Sequence, residues 1–595
     1  MADIKKRSEI EKSKTWAIED IFATIEDWEK EFAALANDIN VMGTFSGRLT
    51  ESAQTLYDFF STEEKLMIRI GNLRTYAMMY QDQDTGNSEA SAMSERAMGL
   101  IVKANALVSF SEPQLLAAPD GLIEGFINEY EPLKEYKFEI EKILRMRAHT
   151  LDEAGEKLLA QAGEALATPR NVYTMLTNAD LTFPEVSDGK GGKTKLSHSR
   201  FLPMLENPDR AIREEAYKAY YDTYKTIKNT TAASYAGLVK SRAFNAKVRG
   251  YESTLEASLY PLAIPLDVYT SLVDAMHDGV KYFNEYMDLR AKLLGVDKLR
   301  YYDLYVPLFE YDGMVTFEEA RENIQKALAP LGEEYVRDSA HAFDDRWIDM
   351  CENQGKRSGA YCTGAYGVHP YILCSYQNTL DNMFTVSHEL GHAMHTFYSS
   401  KNNGYFASHY SIFLAEVAST TNEMLMARYR IDNATCKEEK QYLLNHLLET
   451  MRTTMYRQTL FADFELRAHQ AYANGTALTS DFLSNLYKQV NLEYYPTVEM
   501  DDYIPYEWSR IPHFYTAYYV YQYSTGIAAA VKFSSDIYNK VPGALEKYLG
   551  FLSAGGTKYP IDVLKDAGLD MTKPDTVRQA LEFFKEILDE LKATL

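Results

Sequence analysis

Residues 382–395 read Asn382-Met383-Phe384-Thr385-Val386-Ser387-His388-Glu389-Leu390-Gly391-His392-Ala393-Met394-His395. Met383, Val386, Leu390 and, just beyond, Phe397 recur at helical spacing, which gives the segment the apolar stripe of a buried helix. His388 and His392 stand one turn apart, so both imidazoles project from the same face. Two nitrogens placed in this way reach one metal ion at about 2.0–2.1 Å. Glu389 follows the first histidine and can sit beside a metal-bound water without ligating the metal. The pattern is HExxH, in which the glutamate is general base for a zinc-activated water. The bland alternative is a pair of solvent-facing or core histidines on an ordinary helix.

A catalytic zinc keeps three protein ligands and one open position. A third histidine on the same segment would call for glycine at 395 and histidine at 398, where His395 and Tyr398 stand. The remaining solution takes a glutamate from a second helix. Residues 411–430, SIFLAEVASTTNEMLMARYR, have helical character and carry Glu416 at the head of EVAST, whose small residues suit close helix packing. Glu423, two turns on, is the competing carboxylate, with a solvated or supporting role as its alternative. His395 also falls near the ligand face. As a fourth protein ligand it would displace the water, so a supporting or packing role is expected.

Outward from this segment, helical periodicity dominates. Leu66, Ile70, Leu73, Ala77 and Tyr80 line one face, with Ser61 and Glu64 as a capping box at its start. Val577, Leu581, Phe584, Leu588 and Leu591 repeat the pattern behind Pro574-Asp575, and residues 85–180, 208–245, 266–295 and 438–475 are similar. Two regions break the rhythm. Leu181-Thr182-Phe183 and Thr194-Lys195-Leu196 flank a glycine-rich turn at 187–192, which predicts a hairpin. Its tail, Gly192-Lys193-Thr194, has the ending of a phosphate-binding loop, but Ser187 holds the place of that motif's first glycine. The second break, SGAYCTGAYGVHPYILCSYQ at 358–377, predicts a small sheet just before the metal helix. A strand across 364–373 could pair through its backbone with an extended peptide. Gly364 and His369 are its candidate substrate contacts. His369 and Tyr371 would project to the same side, and structural roles for both stay open. The hairpin makes a seam, so the expected division is a helical region 1–115, a second helical region 116–200 ending in the hairpin, and a catalytic region 201–595.

Composition removes other classes. At 595 residues and roughly 100–200 residues per folding unit, the chain has room for several units and a large core. Lys and Arg number 62 against 85 Asp and Glu, a formal charge of −23 without a basic patch, which argues against nucleic acid and anionic membrane surfaces. There is no run of about 18 apolar residues to span a bilayer, and the opening Met1-Ala2-Asp3-Ile4-Lys5-Lys6-Arg7 is polar rather than signal-like. Four cysteines without CxxC spacing give neither a disulfide framework nor a cysteine zinc site. A cytoplasmic enzyme is expected. The 45 tyrosines against 27 phenylalanines are a surplus of rings with a hydroxyl. Part of it clusters at His513-Phe514-Tyr515-Thr516-Ala517-Tyr518-Tyr519-Val520-Tyr521, where Tyr518 and Tyr521 are spaced for one helix face. Phenols donate hydrogen bonds while neutral, as a developing oxyanion requires; the bland reading makes them core aromatics.

HELGH at 388–392 followed by Glu416 in EVAST resembles the M3 (thimet oligopeptidase) family of zinc peptidases. GAYGVHPYILCSYQNTLDNMFTVSHELGHAMH at 364–395, RIPHFYTAYYVYQYSTG at 510–526 and RFLPMLENPDR at 200–210 narrow the resemblance to the bacterial oligoendopeptidase F branch. It runs through nearly the whole chain. It implies a mainly α, multi-helical zincin-type fold enclosing a deep substrate channel, with a small β-sheet beside the HExxH helix. It also implies one zinc ion on His388, His392 and Glu416, with Glu389 as base, and cleavage of short unstructured peptides. By the resemblance, His513 and Tyr521 stabilise the transition state, while Tyr518, with Tyr519 beside it, holds the substrate. The eukaryotic members carry a glycine-rich loop between the equivalent histidine and tyrosines that this chain lacks. Two rivals remain: a dipeptidyl carboxypeptidase of the same zincin class, and a non-enzymatic peptide-binding protein that has kept the fold.

Overall fold

The computed structural model describes residues 4–595; the first three residues of the polar opening lie outside them. Helices carry most of the chain, as the periodicities predict, and two small sheets interrupt them. No helix among the described residues is long and apolar enough to cross a membrane. Contacts group the chain into two compact units, each gathered from three separate stretches. One comprises Met1–Ala148, Gly313–Asp432 and Ala530–Leu569; the other comprises His149–Asp312, Asn433–Ala529 and Asp570–Leu595. The expected regions 1–115, 116–200 and 201–595 follow chain order, whereas these units do not, because helices distant in sequence share apolar faces.

In the first unit, the helices Ala53–Gln83 and Ser88–Val108 pack on Ile25–Asp38, burying Trp28, Leu35, Phe59, Ile70, Leu73 and Ala97. The capping box expected at Ser61 is absent. The Ser52 side chain accepts the Thr55 N–H at 3.1 Å and starts this helix earlier, leaving Ser61 inside it. The second break in the periodicity is a three-stranded sheet. Tyr371–Leu373 lies at its centre, parallel to Ile348–Asp349 and antiparallel to Tyr361–Thr363. Its ladder pairs Cys362 with Ile372. The central strand is wholly buried, and Tyr371 and Leu373 pack with Trp16 and Met79.

The second unit is built on the helices Leu266–Leu293, Arg457–Ala473, Ser480–Tyr494 and Asp575–Thr594. All five apolar positions predicted for the last of these are buried. Gly279 lets it approach Leu266–Leu293 closely, since a Cβ there would stand 2.5 Å from the Leu581 Cδ1. The predicted hairpin is present, with Glu185–Ser187 antiparallel to Lys193–Lys195, so its first strand lies later than the sequence suggests.

Candidate metal centre

The Thr379 hydroxyl accepts the Asn382 N–H at 3.2 Å and begins the helix Leu380–Asn402. Met383, Val386, Leu390 and Met394 bury its apolar stripe. Opposite it runs Ile412–Asp432, and the two meet at Gly391, where an added Cβ would lie 2.5 Å from Ser419 Cα and 2.8 Å from the Ala418 oxygen. A glycine inside a helix costs about 1 kcal/mol relative to alanine; here it permits this approach. Asn422 reinforces the contact by donating to the Ser387 carbonyl at 3.3 Å.

The close approach sets Glu416 against both histidines. His388 Nε2 and His392 Nε2 are 3.2 Å apart, and Glu416 Oε2 lies 3.4 Å from the first and 3.6 Å from the second. Ligands held tetrahedrally at 2.0–2.1 Å stand about 3.3 Å apart, so this triangle has the dimensions of three corners of a zinc site. Two imidazoles and a carboxylate are also the donor types zinc takes when one position stays open. The Ser419 hydroxyl, 3.2 Å from Glu416 Oε2, orients the carboxylate. Glu423, the competing carboxylate, lies off this triangle and bonds the other nitrogen of His388, Nδ1. That bond fixes the ring's orientation and leaves Nε2 directed at the triangle. Burial opposes charge on His388, yet Glu423, Glu389 and Glu416 hold it up to about 9, while burial and the His388 charge push His392 down to about 4.

Glu389 lines the same cavity, of about 530 Å³, together with Cys362, Thr363, Gly364 and Tyr410. Burial raises its carboxyl to about 7, against the pull of His388; Glu416 pushes the same way as burial, and the Cys362 backbone N–H bonds it. A proton acceptor beside the ligand triangle and near neutral pH suits general-base work. His395 is fully buried and stacks on Tyr410 with ring centres 3.6 Å apart. Burial drives its pKa down to about 3, with His392 adding to the effect, so its role is packing as a neutral ring.

The strand reading of 364–373 needs correction. The central strand Tyr371–Leu373 is paired on both sides, so its backbone has no edge to offer; the edge beside Glu389 is Tyr361–Thr363. Gly364, just past that edge, does line the cavity. His369 is engaged elsewhere: Nε2 lies 3.0 Å from Asp20 Oδ2, and the ring stacks on Trp347 at 5.1 Å. Its observed partners make it a fastening of the sheet.

The tyrosine cluster, in the second unit, also departs from expectation. Tyr518 and Tyr521 do not share a helix face, because Tyr518 takes φ 54° and the helix begins only at Tyr521. The Tyr518 hydroxyl is 2.9 Å from Thr254 Oγ1, and its N–H donates to Glu465 at 2.9 Å. Tyr521 is 1% exposed and packs on Tyr269. The exposed group is His513, with Tyr519 and Tyr523 around it at centroid distances of 6.2 Å each. Partial burial and the Arg457 charge lower the His513 pKa. Tyr523, which sequence reasoning does not single out, packs on Tyr519 with ring centres 5.6 Å apart. A second set of metal-type donors, His277, Asp463 and Glu493, is already bridged by the Arg467 guanidinium.

Comparison with known proteins gives the family. The family model for Peptidase family M3 matches residues 203–583, and that for Oligopeptidase F matches residues 114–183. The chain is 43% identical over 603 residues to Oligopeptidase PepF of Bacillus subtilis, covering 100% of this chain and 90% of that one. It is 39% identical to Group B oligopeptidase PepB of Streptococcus agalactiae, with 98% of each covered. Among solved structures, oligoendopeptidase-F from Enterococcus faecium aligns with TM-score 0.74 at 36% identity, covering 96% of this chain and 99% of that one.

Proposed function

This chain belongs to peptidase family M3, and from that premise we propose that it is a zinc-dependent endopeptidase hydrolysing internal bonds of short, unstructured oligopeptides. The observation that carries the reading is the triangle of His388 Nε2, His392 Nε2 and Glu416 Oε2, with Glu389 in the same cavity. These three residues would hold a zinc ion, which would supply Lewis acidity for activating water and the scissile carbonyl. Glu423 keeps His388 in the tautomer whose Nε2 lone pair faces the triangle. Glu389 takes the proton of the attacking water and passes it to the leaving amine, acting as base and then as acid. The edge strand Tyr361–Thr363 lines the cavity, where an extended peptide would lie alongside it, a mode of binding that takes affinity from the main chain and asks little of sequence. The resemblance gives the oxyanion to His513 and Tyr521; within the second unit Tyr521 is enclosed, while His513 and the neighbouring Tyr519 and Tyr523 keep exposed surface. The chain is expected to act in the cytoplasm.

Glu389→Gln tests the assignment. Turnover of an internally quenched peptide should fall by at least ~10²-fold, the lower bound for general acid–base catalysis, while one zinc per chain is retained. Peptidase activity retained by that variant would sink the mechanism. Peptides blocked at both termini should be cleaved by the native protein, which a dipeptidyl carboxypeptidase or a non-enzymatic binder would leave intact.

A further inference from the structure

Part of the cavity wall comes from the segment joining the two ligand helices, where Ser408, His409 and Tyr410 line it. This segment is fastened from three directions. The Gly556 N–H donates to the Ala407 carbonyl at 2.7 Å. The Ser399 hydroxyl, on the helix that carries the histidines, donates to the Ser408 carbonyl at 2.6 Å, and Asn403 Nδ2 donates to the Ser553 carbonyl at 2.8 Å. No side chain fits at this clasp. A Cβ on Gly556 would stand 2.2 Å from the His409 oxygen, and one on Gly555 would stand 2.4 Å from the Ala407 oxygen. Gly555 also takes φ 55°, a conformation that favours glycine.

The clasped segment presents His409, whose ring is exposed. His409 Nδ1 lies 2.7 Å from the Tyr405 carbonyl. A carbonyl only accepts, so Nδ1 carries the proton and donates, which leaves Nε2 with its lone pair in the neutral ring. The Tyr405 ring packs against the imidazole at 4.8 Å. Nε2 has no hydrogen-bond partner among the described residues. An acceptor fixed in tautomer and in place, on the wall of a cavity that takes peptides, is built to meet an N–H.

We infer that His409 is a substrate-contacting residue: its Nε2 accepts a backbone N–H of the bound peptide, and Gly555 and Gly556 are positioning residues that hold it there. This rests on the peptidase reading above. The contact serves binding rather than the chemical step, so it is read in KM.

The experiment uses the full-length, zinc-loaded protein and an internally quenched peptide. His409→Ala removes one hydrogen bond and should raise KM about 3- to 10-fold, with kcat, zinc content and Tm unchanged. His409→Gln, whose Oε1 can take the acceptor position, should restore KM. Gly556→Ala, which must displace the His409 carbonyl, should raise KM at least as much. A folded, zinc-loaded His409→Ala protein with native KM, or a Gln variant as impaired as the Ala variant, overturns the assignment. Measuring the Kd of the same peptide on the Glu389→Gln background separates the two readings. Binding that depends on His409, with no cleavage by the protein that keeps Glu389, refutes the peptidase and keeps the contact; cleavage by that protein with a Kd indifferent to His409 refutes the contact alone.

Discussion

Gly391→Ala adds one methyl group at the tightest point between the two ligand helices. Its Cβ would lie 2.5 Å from Ser419 Cα, 2.8 Å from the Ala418 oxygen and 2.9 Å from the Ser419 nitrogen. Non-bonded carbons rest about 3.5–4.0 Å apart, so relief requires the helices to part by about 1 Å, because backbone cannot rotate out of the way. His388 and His392 would stay together on one helix while Glu416 leaves with the other. The 3.4 and 3.6 Å sides of the triangle lengthen and the 3.2 Å side does not. Overpacking costs about 1–3 kcal/mol, and the better helix propensity of alanine offsets about 1 kcal/mol of it. Stability therefore changes modestly. Zinc affinity should fall more, by about 10- to 100-fold, the range for disturbing a metal ligand's support. Competition with a chromogenic chelator measures the zinc Kd, and thermal unfolding of the metal-free protein measures the packing term. Gly99→Ala is the control: nothing lies within 4 Å of a Cβ there, on the helix Ser88–Val108. It should stabilise by about 0.5–1 kcal/mol and leave zinc binding alone. Native zinc affinity in Gly391→Ala, or an equal loss in Gly99→Ala, would refute the claim that this glycine sets the ligand geometry.

Glu423→Ala should weaken zinc about 10- to 100-fold, because His388 loses the bond at Nδ1 that orients it; calorimetry that finds native affinity would reduce Glu423 to a bystander. Stability should also depend on pH through His469, which is 3% exposed and sits 3.0 Å from Thr254 Oγ1. Burial, helped by the Arg242 charge, lowers its pKa from 6.5 to about 3. The unfolded chain then binds the proton more readily, so the contribution is complete above pH 6.5 and is lost as pH falls toward 3. The loss is about 1.4 kcal/mol per pH unit. Urea titrations at pH 7, 6 and 5 should show a flatter pH dependence in His469→Met, and equal slopes in the two proteins would contradict the assignment.

What the sequence discloses about the site follows from local geometry. His388 and His392 are legible because one helical turn is a fixed distance, and Glu416 because the small residues after it announce a close neighbour. That neighbour is Gly391, whose partner Ser419 is visible only in three dimensions. Glu423 stays ambiguous in sequence because a carboxylate supporting a ligand and one in solvent have the same spacing. Tyr518 and Tyr521 look like one helix face because periodicity assumes a continuous helix, and the positive φ of Tyr518 interrupts it. Likewise Ser61 and Glu64 satisfy a capping pattern that Ser52 pre-empts. The sheet at 358–377 is readable as a region, but strands of three residues are too short to show which one is the edge. The clasp leaves no local sign, since Gly555 and Gly556 find their partners far back along the chain.

The first unit includes the late segment Ala530–Leu569, where the helix Ala544–Ala554 packs on Leu380–Asn402. Chains grow from the N-terminus, so a ribosome carrying a partly made copy holds both histidines and Glu416 before residues 555 and 556 emerge. Until then the segment around His409 lacks its fastening, and the contacts that shape the cavity span most of the second half of the sequence. Assembly of this wall is thus tied to residues far beyond it: the segment around His409 gains its full fastening only once Gly555 and Gly556 are available to fold.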